Sequence, residues 1–202
     1  AAGGRDLSAL ALDLERIRGT IPTVTAATPM REYRKTIRYQ NHKLEARVVG
    51  VTPEFFKNNN IAVALGRGID AADERRFDNV CVLGAATAET LFPTDNPVGR
   101  SVTLENLGDT RSYVVVGVTE PKTLAGVSEA GENADLSRVV FIPFATDRLR
   151  FGREVVTLRA GSFQVEKIEI SQVTVTVAKT EDVRRTAAVL DSLLGQYHPR
   201  KD

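Results

Sequence analysis

Apolar residues recur at helical spacing in the first and last stretches of the chain. At the start, Gly19 follows the last of these residues, and glycine commonly ends a helix because it adopts the left-handed conformation freely. At the end, Thr180 is placed to cap a helix and Gly195 to end it. The pattern predicts two amphipathic helices, with apolar stripes at Leu7, Leu10, Leu14 and Ile17 and at Val183, Ala187, Leu190 and Leu194.

Between these helices the chain consists mainly of short runs of β-branched residues separated by glycine, proline and asparagine. This is the pattern of strands and turns, and the turn-like residues 40–42 predict a hairpin. Pro53 and Gly84 precede apolar residues at helical spacing, which predicts two short helices that end near Asn58 and Pro93. The predicted strands are 36–39, 44–51, 80–83, 102–104, 113–118, 139–142, 155–158, 165–170 and 172–177.

Both predicted terminal helices need a sheet to cover their apolar faces, which suggests that the two chain ends pack together. A change of texture at Gly66, where glycine and aspartate interrupt the β-rich pattern, predicts the start of a second lobe. We therefore expect an α+β fold of two lobes. Residues 1–62 and 152–202 should form a βα lobe from both chain ends, and residues 63–151 a smaller β-rich lobe inserted into it.

The charge balance of the 202-residue chain excludes some classes of protein. With 27 basic and 26 acidic residues, it has no overall basic field to attract nucleic acid, so we expect no nucleic acid partner. No apolar run approaches the ~18 to 20 residues that cross a bilayer, and Ala1 does not begin a signal-peptide pattern. The single cysteine, Cys81, excludes an intrachain disulfide and is predicted to be a buried strand residue.

A search for catalytic and ligand-binding motifs finds no site. The chain has no phosphate-binding loop of the GxxxxGK[ST] type, and the glycines beside Arg67 do not complete a dinucleotide fingerprint. The sequence GVSEAG from Gly126 has one residue too many for a nucleophile elbow. His42 and His198 are far apart, with no metal-ligand partner nearby. We therefore predict no catalytic, cofactor-binding or metal-binding residues and no enzymatic activity.

Two clusters of charge are interpreted as structural. Asp70, Asp73 and Glu74 lack the ligand pattern of a calcium loop, and the start of a helix explains them more simply. A basic cluster that contains two tyrosines invites comparison with a nucleic-acid or anionic-lipid surface. Because Glu32 interrupts it and strand alternation would expose its side chains, we interpret it as a solvated face. Its cations are Arg31, Arg34, Lys35 and Arg38.

Six short sequences follow one another in the middle of the chain, between Val48 and Phe144. In order they are VVGVTPEFF, LGRGI, VCVLGAATAETLF, NPVGRSVTL, YVVVGVTEP and VVFIPF. This series resembles the periplasmic core domain of MacB-type ABC transporter permeases, an FtsX-like family whose soluble domain lies between the first and second transmembrane helices. The terminal segments resemble the family too, so the similarity covers nearly the whole chain. The departures are the stretches from Thr123 to Ser137 and from Arg153 to Ser171.

The resemblance implies a porter-like α+β lobe built from the two terminal segments, with a smaller β-rich lobe inserted. It implies no cofactor in this domain, because ATP is bound on a separate ABC ATPase domain or subunit. The other implied partners are a membrane-fusion adaptor protein and a second permease copy. The expected location is the periplasmic or extracellular face of the cytoplasmic membrane. Transmembrane helices would lie outside both ends of the sequence, with Ala1 and Asp202 near each other.

The implied function is that of an extracytoplasmic permease domain, which relays ATP-driven motion to an adaptor for efflux of drugs, peptides or lipoproteins. Two alternatives stay open. An FtsX-like regulatory domain would control a cell-wall hydrolase without transporting anything. A free-standing extracytoplasmic binding protein would have a signal peptide and no flanking membrane helices.

The polar stretch from Thr123 to Ser137 is the expected partner interface. Its glycines, its acidic residues and its lack of an apolar run predict a surface loop, and loops on rigid scaffolds are frequent sites of recognition. We expect this loop to lie at the end of the inserted lobe away from the membrane and to engage the adaptor. The expected contact residues are Leu124, Val127, Glu129, Glu132 and Asp135.

Overall fold

The structure, a computed structural model, describes residues 21–106, 109–124, 134–151, 154–159, 162–167 and 171–197. Among these, residues 30–171 belong to one compact unit, here called the barrel unit. Residues 21–29 and 172–197 belong to a second, here called the terminal unit. The predicted helix with Leu7 and Ile17 lies outside the described residues, as do the chain ends Ala1 and Asp202.

The described residues form mostly strands, with a few short helices. The strands are β1 (Val24–Tyr39), β2 (His42–Val51), β3 (Val63–Gly66), β4 (Val80–Leu83), β5 (Ser101–Asn106), β6 (Asp109–Thr119), β7 (Thr123–Leu124), β8 (Ala134–Asp135), β9 (Val139–Pro143), β10 (Glu154–Arg159), β11 (Ser162–Lys167) and β12 (Gln172–Val177). The helices are α1 (Glu54–Asn58), α2 (Ala71–Arg76), α3 (Ala85–Leu91), α4 (Phe144–Phe151) and α5 (Val183–Tyr197). The sequence pattern predicts neither α4 nor the full length of β1.

Six strands of the barrel unit pair in a closed ring. β1 is antiparallel to β2, β2 parallel to β9, and β9 antiparallel to β4. β4 is parallel to β6, and β6 is antiparallel to β5. The ring closes because β5 returns to β1, where Thr36, Ile37 and Arg38 face residues 103–105. Since every strand of the ring has two neighbours, the ring is a small β-barrel without a free edge.

Alternation along the strands divides their residues between the inside and the outside of the barrel. Val48, Cys81 and Val140 belong to one buried cluster, whereas the next residues along their strands, Val49, Val82 and Phe141, belong to another. All six strands contribute to the first cluster, which therefore fills the barrel interior. Cys81 is fully buried there, as predicted. The strand residues of the interior are Tyr33, Ile37, Ala46, Val48, Cys81, Leu83, Val102, Leu104, Tyr113, Val115, Val118, Val140 and Ile142.

The second cluster lies on the outside of the barrel, beneath α1. Phe55 and Phe56 of α1 pack on Phe141 of β9, with ring centroids 6.0 and 5.3 Å apart. This helix starts after Pro53, as predicted, although no side chain caps it. The aromatic layer covers β9 where it pairs in parallel with β2, a contact between distant parts of the chain.

Helices α3 and α4 lie near different parts of β1. Near its end, Tyr39 stacks on Phe92, which follows α3, with ring centroids 4.0 Å apart. Nearer its middle, Tyr33 packs on Phe151 of α4 at 5.5 Å. Tyr33 and Tyr39 are about 20 Å apart along an extended strand, so α3 and α4 cover different ends of the barrel. The end that α4 covers is here called the barrel mouth.

In the terminal unit, β12 lies beside the first residues of β1. The N–H of Ala178 donates to the carbonyl oxygen of Thr23 at 3.1 Å. α5 is joined to the same segment, because the hydroxyl oxygens of Thr23 and Thr186 lie 2.7 Å apart. Ile21 and Val24 form a small buried cluster there, against which Val175 and Leu190 are partly buried.

The predicted apolar stripe of α5 is partly wrong. Val183 is 47% exposed and Ala187 is exposed, whereas Thr186 is buried. A 3-10 turn at Thr180–Asp182 precedes the helix. The helix face that carries Thr186 is the buried one, because Thr186 forms a hydrogen bond with Thr23. The helix also continues through Gly195 to Tyr197, and the side chain of Leu194 lies outside the described residues.

The expected α+β class is confirmed, but the expected lobe boundaries differ from the compact units. The sequence pattern predicts residues 30–62 in one lobe with residues 152–202, apart from residues 63–151. In the structure, residues 30–62 and 63–151 share the barrel unit. The reason is that β1 and β2 are two of the six barrel strands, so the change of texture at Gly66 marks a turn within one unit. The units divide after Pro29 and after Ser171.

The division into inside and outside predicts the effect of two adjacent substitutions in β5. Leu104→Ala should lower the free energy of unfolding by about 2 to 5 kcal/mol, because Leu104 is fully buried in the barrel and its removal leaves a cavity. Thr103→Ala, on the other face of the same strand, should change it by about 0.5 kcal/mol or less. Urea unfolding of the two variants measures both values, and equal losses would contradict the assignment of faces.

Candidate functional site

The expected adaptor-binding segment leaves the barrel unit through a short two-stranded stem. Thr123 and Leu124 of β7 pair with Asp135 and Ala134 of β8. The carboxylate of Asp135 is exposed and accepts a hydrogen bond from the N–H of Ser137 at 2.8 Å. Of the expected contact residues, Val127, Glu129 and Glu132 lie outside the described residues, and nothing is described of the Leu124 side chain.

The base of this stem is fixed to the barrel unit. The N–H of Leu136 donates to the carbonyl oxygen of Lys122 at 2.8 Å, which joins the two sides of the stem just beside the strand pair. The Leu136 side chain is 2% exposed and belongs to the outer apolar cluster. The structure therefore positions both ends of the segment that the sequence assigns to a partner, and it tests none of the expected contacts.

The basic cluster on β1 is only partly a solvated face, which corrects the interpretation from sequence. Arg34 and Arg38 are exposed, as expected. Arg31 and Lys35, by contrast, are buried, with 0% and 8% of their surface exposed. The physical reason is strand alternation, because the odd-numbered residues of β1 point the same way as Tyr33, into the barrel.

The acid that accompanies this buried charge is Asp147 of α4, which no sequence motif indicates. It is fully buried in the barrel mouth, where the Tyr33 hydroxyl donates a hydrogen bond to Oδ1. Nη1 of Arg31 lies 3.5 Å from Oδ2. The three residues are here called the mouth cluster. A weak signal exists in the sequence: Asp147 lies between Phe144 and Phe151 on one face of α4, at a position where an apolar residue is expected.

Gly50 provides the space that Asp147 occupies. It lies directly opposite Arg31 in the β1–β2 pair. A Cβ atom added to Gly50 would lie 2.7 Å from Oδ2 of Asp147 and 3.1 Å from its Cβ. A separation of 2.7 Å is below van der Waals contact, so any larger residue at position 50 would displace the carboxylate. Gly50 is part of VVGVTPEFF, the first of the six sequences noted above.

Burial dominates the electrostatics of the mouth cluster. It raises the pKa of Asp147 to about 6, although the positive charge of Arg31 and the hydrogen bond from Tyr33 both lower it. Burial, followed by the charge of Asp147, also raises the pKa of Tyr33. Nearby, burial and then Arg31 lower the pKa of Lys35. Burial also raises the pKa of Tyr113, whose hydroxyl has no hydrogen-bond partner among the described residues.

α4 is also held from outside the barrel, by α2 and the residues after it. The carboxylate of Glu74 accepts hydrogen bonds from the N–H groups of Phe144 and Ala145, at 2.6 and 3.0 Å. It therefore satisfies the free donors at the start of α4 and places negative charge at the positive end of the helix. Further along, Thr146 donates to the carbonyl oxygen of Asp78 at 3.0 Å, and Arg150 to the side chain of Asn79 at 3.1 Å.

The acids at residues 70–74 have the structural role that the sequence indicates. Asp70 caps α2, and Asp73 completes a capping box with it. Arg67 forms two hydrogen bonds to the Asp73 carboxylate, at 2.6 and 2.9 Å. Over the described part of the chain, no three histidine, cysteine, aspartate or glutamate residues are grouped so that they could hold a metal ion. The charged groups around α2 and α4 therefore have a structural role, because they hold these two helices in place on the barrel.

Among the described residues, no helix is both long and apolar enough to span a membrane. Two solved structures with a similar fold are extracytoplasmic parts of ABC transporters. The periplasmic region of MacB from Actinobacillus actinomycetemcomitans matches with a TM-score of 0.70 and 19% identity, over 95% of this chain and 75% of that one. The extracellular domain of the noncanonic ABC-type transporter YknZ from Gram-positive bacteria matches with a TM-score of 0.69 and 19% identity, over 94% and 84%. At such identities the likeness concerns the fold alone.

The chain belongs to the family of MacB-like periplasmic core domains, whose family model matches residues 2–193. The resemblance carried by the six short sequences is thereby confirmed, and a periplasmic location follows from the family. The macrolide export ATP-binding/permease protein MacB of Azoarcus sp. strain BH72 is 30% identical over 201 residues, which are 94% of this chain and 29% of that protein. The MacB protein of Marinobacter nauticus is 31% identical over 142 residues. The chain spans less than a third of the length of these relatives.

The raised pKa of Asp147 predicts a pH-dependent stability that Asp147→Asn removes. Its ordinary value is 3.8 and its value in the fold is about 6, so the folded protein binds this proton more tightly than the unfolded chain does. The stabilisation is complete below pH 3.8 and is lost as the pH rises through about 6. Urea unfolding between pH 4 and pH 7 measures the free energy of unfolding of the wild type and of Asp147→Asn. The wild-type value minus the variant value should decrease as the pH rises. A constant difference would contradict this, and Asp95→Asn at an exposed site is the matched control.

Proposed function

We propose that this chain is the extracytoplasmic domain of a MacB-type ABC transporter permease, which relays ATP-driven motion to an adaptor protein during efflux of drugs, peptides or lipoproteins. The observation that carries the proposal is the family match over residues 2–193, together with a barrel inserted between two terminal segments. The relatives that the chain matches are ATP-binding/permease proteins by name. The domain would therefore act in transport without being an enzyme itself.

The barrel unit has the mechanical properties that a relay requires. Its six paired strands have no free edge and its core is filled, so we expect it to move as a rigid body. It is joined covalently to the rest of the chain only at Met30 and at Ser171. Here the N–H of Ser171 donates to the carbonyl oxygen of Met30 at 2.9 Å, and the N–H of Glu32 donates to Oγ of Ser171 at 2.9 Å. Met30, Glu32 and Ser171 are here called the junction.

The energy for this motion would come from a partner. The sequence has no phosphate-binding loop, so ATP would bind to an ABC ATPase domain or subunit elsewhere in the permease, and no cofactor is expected here. Transmembrane helices on either side of the domain would connect it to that ATPase. A second permease copy and a membrane-fusion adaptor are the other partners of the proposal, which places the domain on the outer face of the cytoplasmic membrane.

The adaptor contact is proposed for the segment above the β7–β8 stem. Its expected residues are Leu124, Val127, Glu129, Glu132 and Asp135. Support comes from the stem itself, which is anchored to the barrel by Leu136 and therefore moves with it. A partner held at the end of this stem would follow the barrel, and the acidic residues would give the contact an electrostatic component.

Removal of the barrel unit tests the proposed relay. In the full-length permease, residues 30–171 are replaced by a short glycine linker, which the contact between Met30 and Ser171 permits. ATP hydrolysis should persist, whereas adaptor-dependent transport should fall to background. The same linker inserted at exposed Asp95 is the control and should leave transport intact. Persistent transport without the barrel would contradict the relay, and loss of cell-wall hydrolase control instead would favour an FtsX-like regulatory role.

Neutral substitutions test the adaptor contact separately. The triple variant E129Q/E132Q/D135N should weaken adaptor binding about fivefold or more at low salt and reduce its salt dependence, because exposed charge pairs contribute up to about 1 kcal/mol each. Asparagine at position 135 can still accept the hydrogen bond from Ser137, so the stem is preserved. The control E45Q/E89Q/E120Q removes three exposed charges elsewhere on the barrel unit. Equal adaptor affinity of both variants, measured by titration at two salt concentrations, would remove the segment from the interface.

A further inference from the structure

One short stretch of β1 has both the mouth cluster and the junction as its neighbours. Arg31 lies between Met30 and Glu32, whose backbone groups bond to Ser171. Its own side chain points the other way, to Asp147 inside the barrel mouth. In addition to its pairing with β2, this stretch is therefore held by the return connection of the chain and by α4.

Along the chain, α4 is also the last helix before the junction. It follows directly on β9, and the β10–β11 hairpin separates its last residue, Phe151, from Ser171. Both ends of α4 are fastened, by Glu74 at the start and by the packing of Phe151 on Tyr33 at the end. Any movement of α4 would thus act on β1 through Arg31 and Tyr33, and on the return connection through the hairpin.

The mouth cluster favours two positions of α4, one with Asp147 inside the barrel mouth and one with Asp147 outside it. Asp147 and Arg31 are both fully buried, so separating them removes an attraction that offsets the cost of burying each charge. Asp147 also cannot shift toward Gly50, where the space is already filled to contact. Small displacements are therefore resisted, and the alternative to the seated helix is one in which Asp147 has left the barrel mouth.

We propose that α4 is a latch for the junction. When Asp147 is seated in the barrel mouth, it holds Arg31 and with it the backbone of Met30 and Glu32 against Ser171. When Asp147 leaves, the hydrogen bonds of the junction open with it. As part of the relay, which rests on the proposed function, the latch determines whether force that enters at Met30 and Ser171 moves the barrel as a whole or is absorbed at the junction.

Amide hydrogen exchange of the 202-residue chain tests the latch without reference to transport. In Asp147→Asn, the amides of Ser171 and Glu32 should exchange at least tenfold faster, together with those of α4, while the amides of Leu104 and Val115 stay unchanged. Gly50→Ala, which displaces the carboxylate by steric contact, should have the same effect by another route. Arg38→Gln, which breaks the exposed pair with Glu105 on the same strand, is the control and should change none of these rates.

Two results would overturn the latch. One is faster exchange in α4 with unchanged rates at Ser171 and Glu32, which would make α4 a packed helix only. The other is equal acceleration throughout the barrel, which would show a general loss of stability. If one variant fails to fold, the other decides between these results.

Transport assays then test the role of the latch in the relay. In the full-length permease, Asp147→Asn should lower transport per ATP hydrolysed severalfold, while Arg38→Gln leaves it unchanged. Unchanged transport beside the expected exchange result would remove the latch from the relay and leave it as a property of the fold. Loss of the proposed function in the barrel-removal experiment would leave the exchange result standing, so the two proposals fail separately.

Discussion

In a strand of a closed barrel, every second residue points into the barrel, and the interior must accommodate its side chain. In β1 this requirement falls on Arg31, Tyr33, Lys35 and Ile37, of which only the last is wholly apolar. A buried guanidinium needs a counter-charge, and Asp147 supplies it from α4. Closure of the ring thus creates the need for an acid at the mouth, the acid fixes the helix that carries it, and Gly50 has no side chain because that carboxylate lies against it.

The parts of the fold that could be predicted are those with local signals. The turn at Gln40, the strand that contains Cys81 and the capped start of α2 at Asp70 all depend on residues within a few positions of one another. The mouth cluster has no such signal, because Tyr33 and Asp147 are 114 positions apart and meet only when the ring closes. The same long-range pairing explains why the compact units divide at residues other than those that the sequence pattern suggests. A change of composition at Gly66 looks the same whether it marks a turn or a domain border.

The six short sequences that identify the family are, in large part, the barrel itself. VVGVTPEFF ends β2 and begins α1, VCVLGAATAETLF contains β4 and α3, and VVFIPF contains β9 and the start of α4. The two stretches in which we expect departures from the family lie elsewhere, on the stretch that includes the β7–β8 stem and on the β10–β11 hairpin.

The parallel pairing of β2 with β9 has a consequence for the order in which the protein folds. Residues 47–51 and their partners 139–143 are separated by about ninety residues, so β9 reaches the periplasm after β2. During that interval β2 can pair with β1 but has an open edge on its other side. Local hairpins form early, whereas the barrel must wait for a large loop to close. The nascent domain is therefore most exposed to aggregation just before β9 arrives, which is the stage at which a chaperone would protect it.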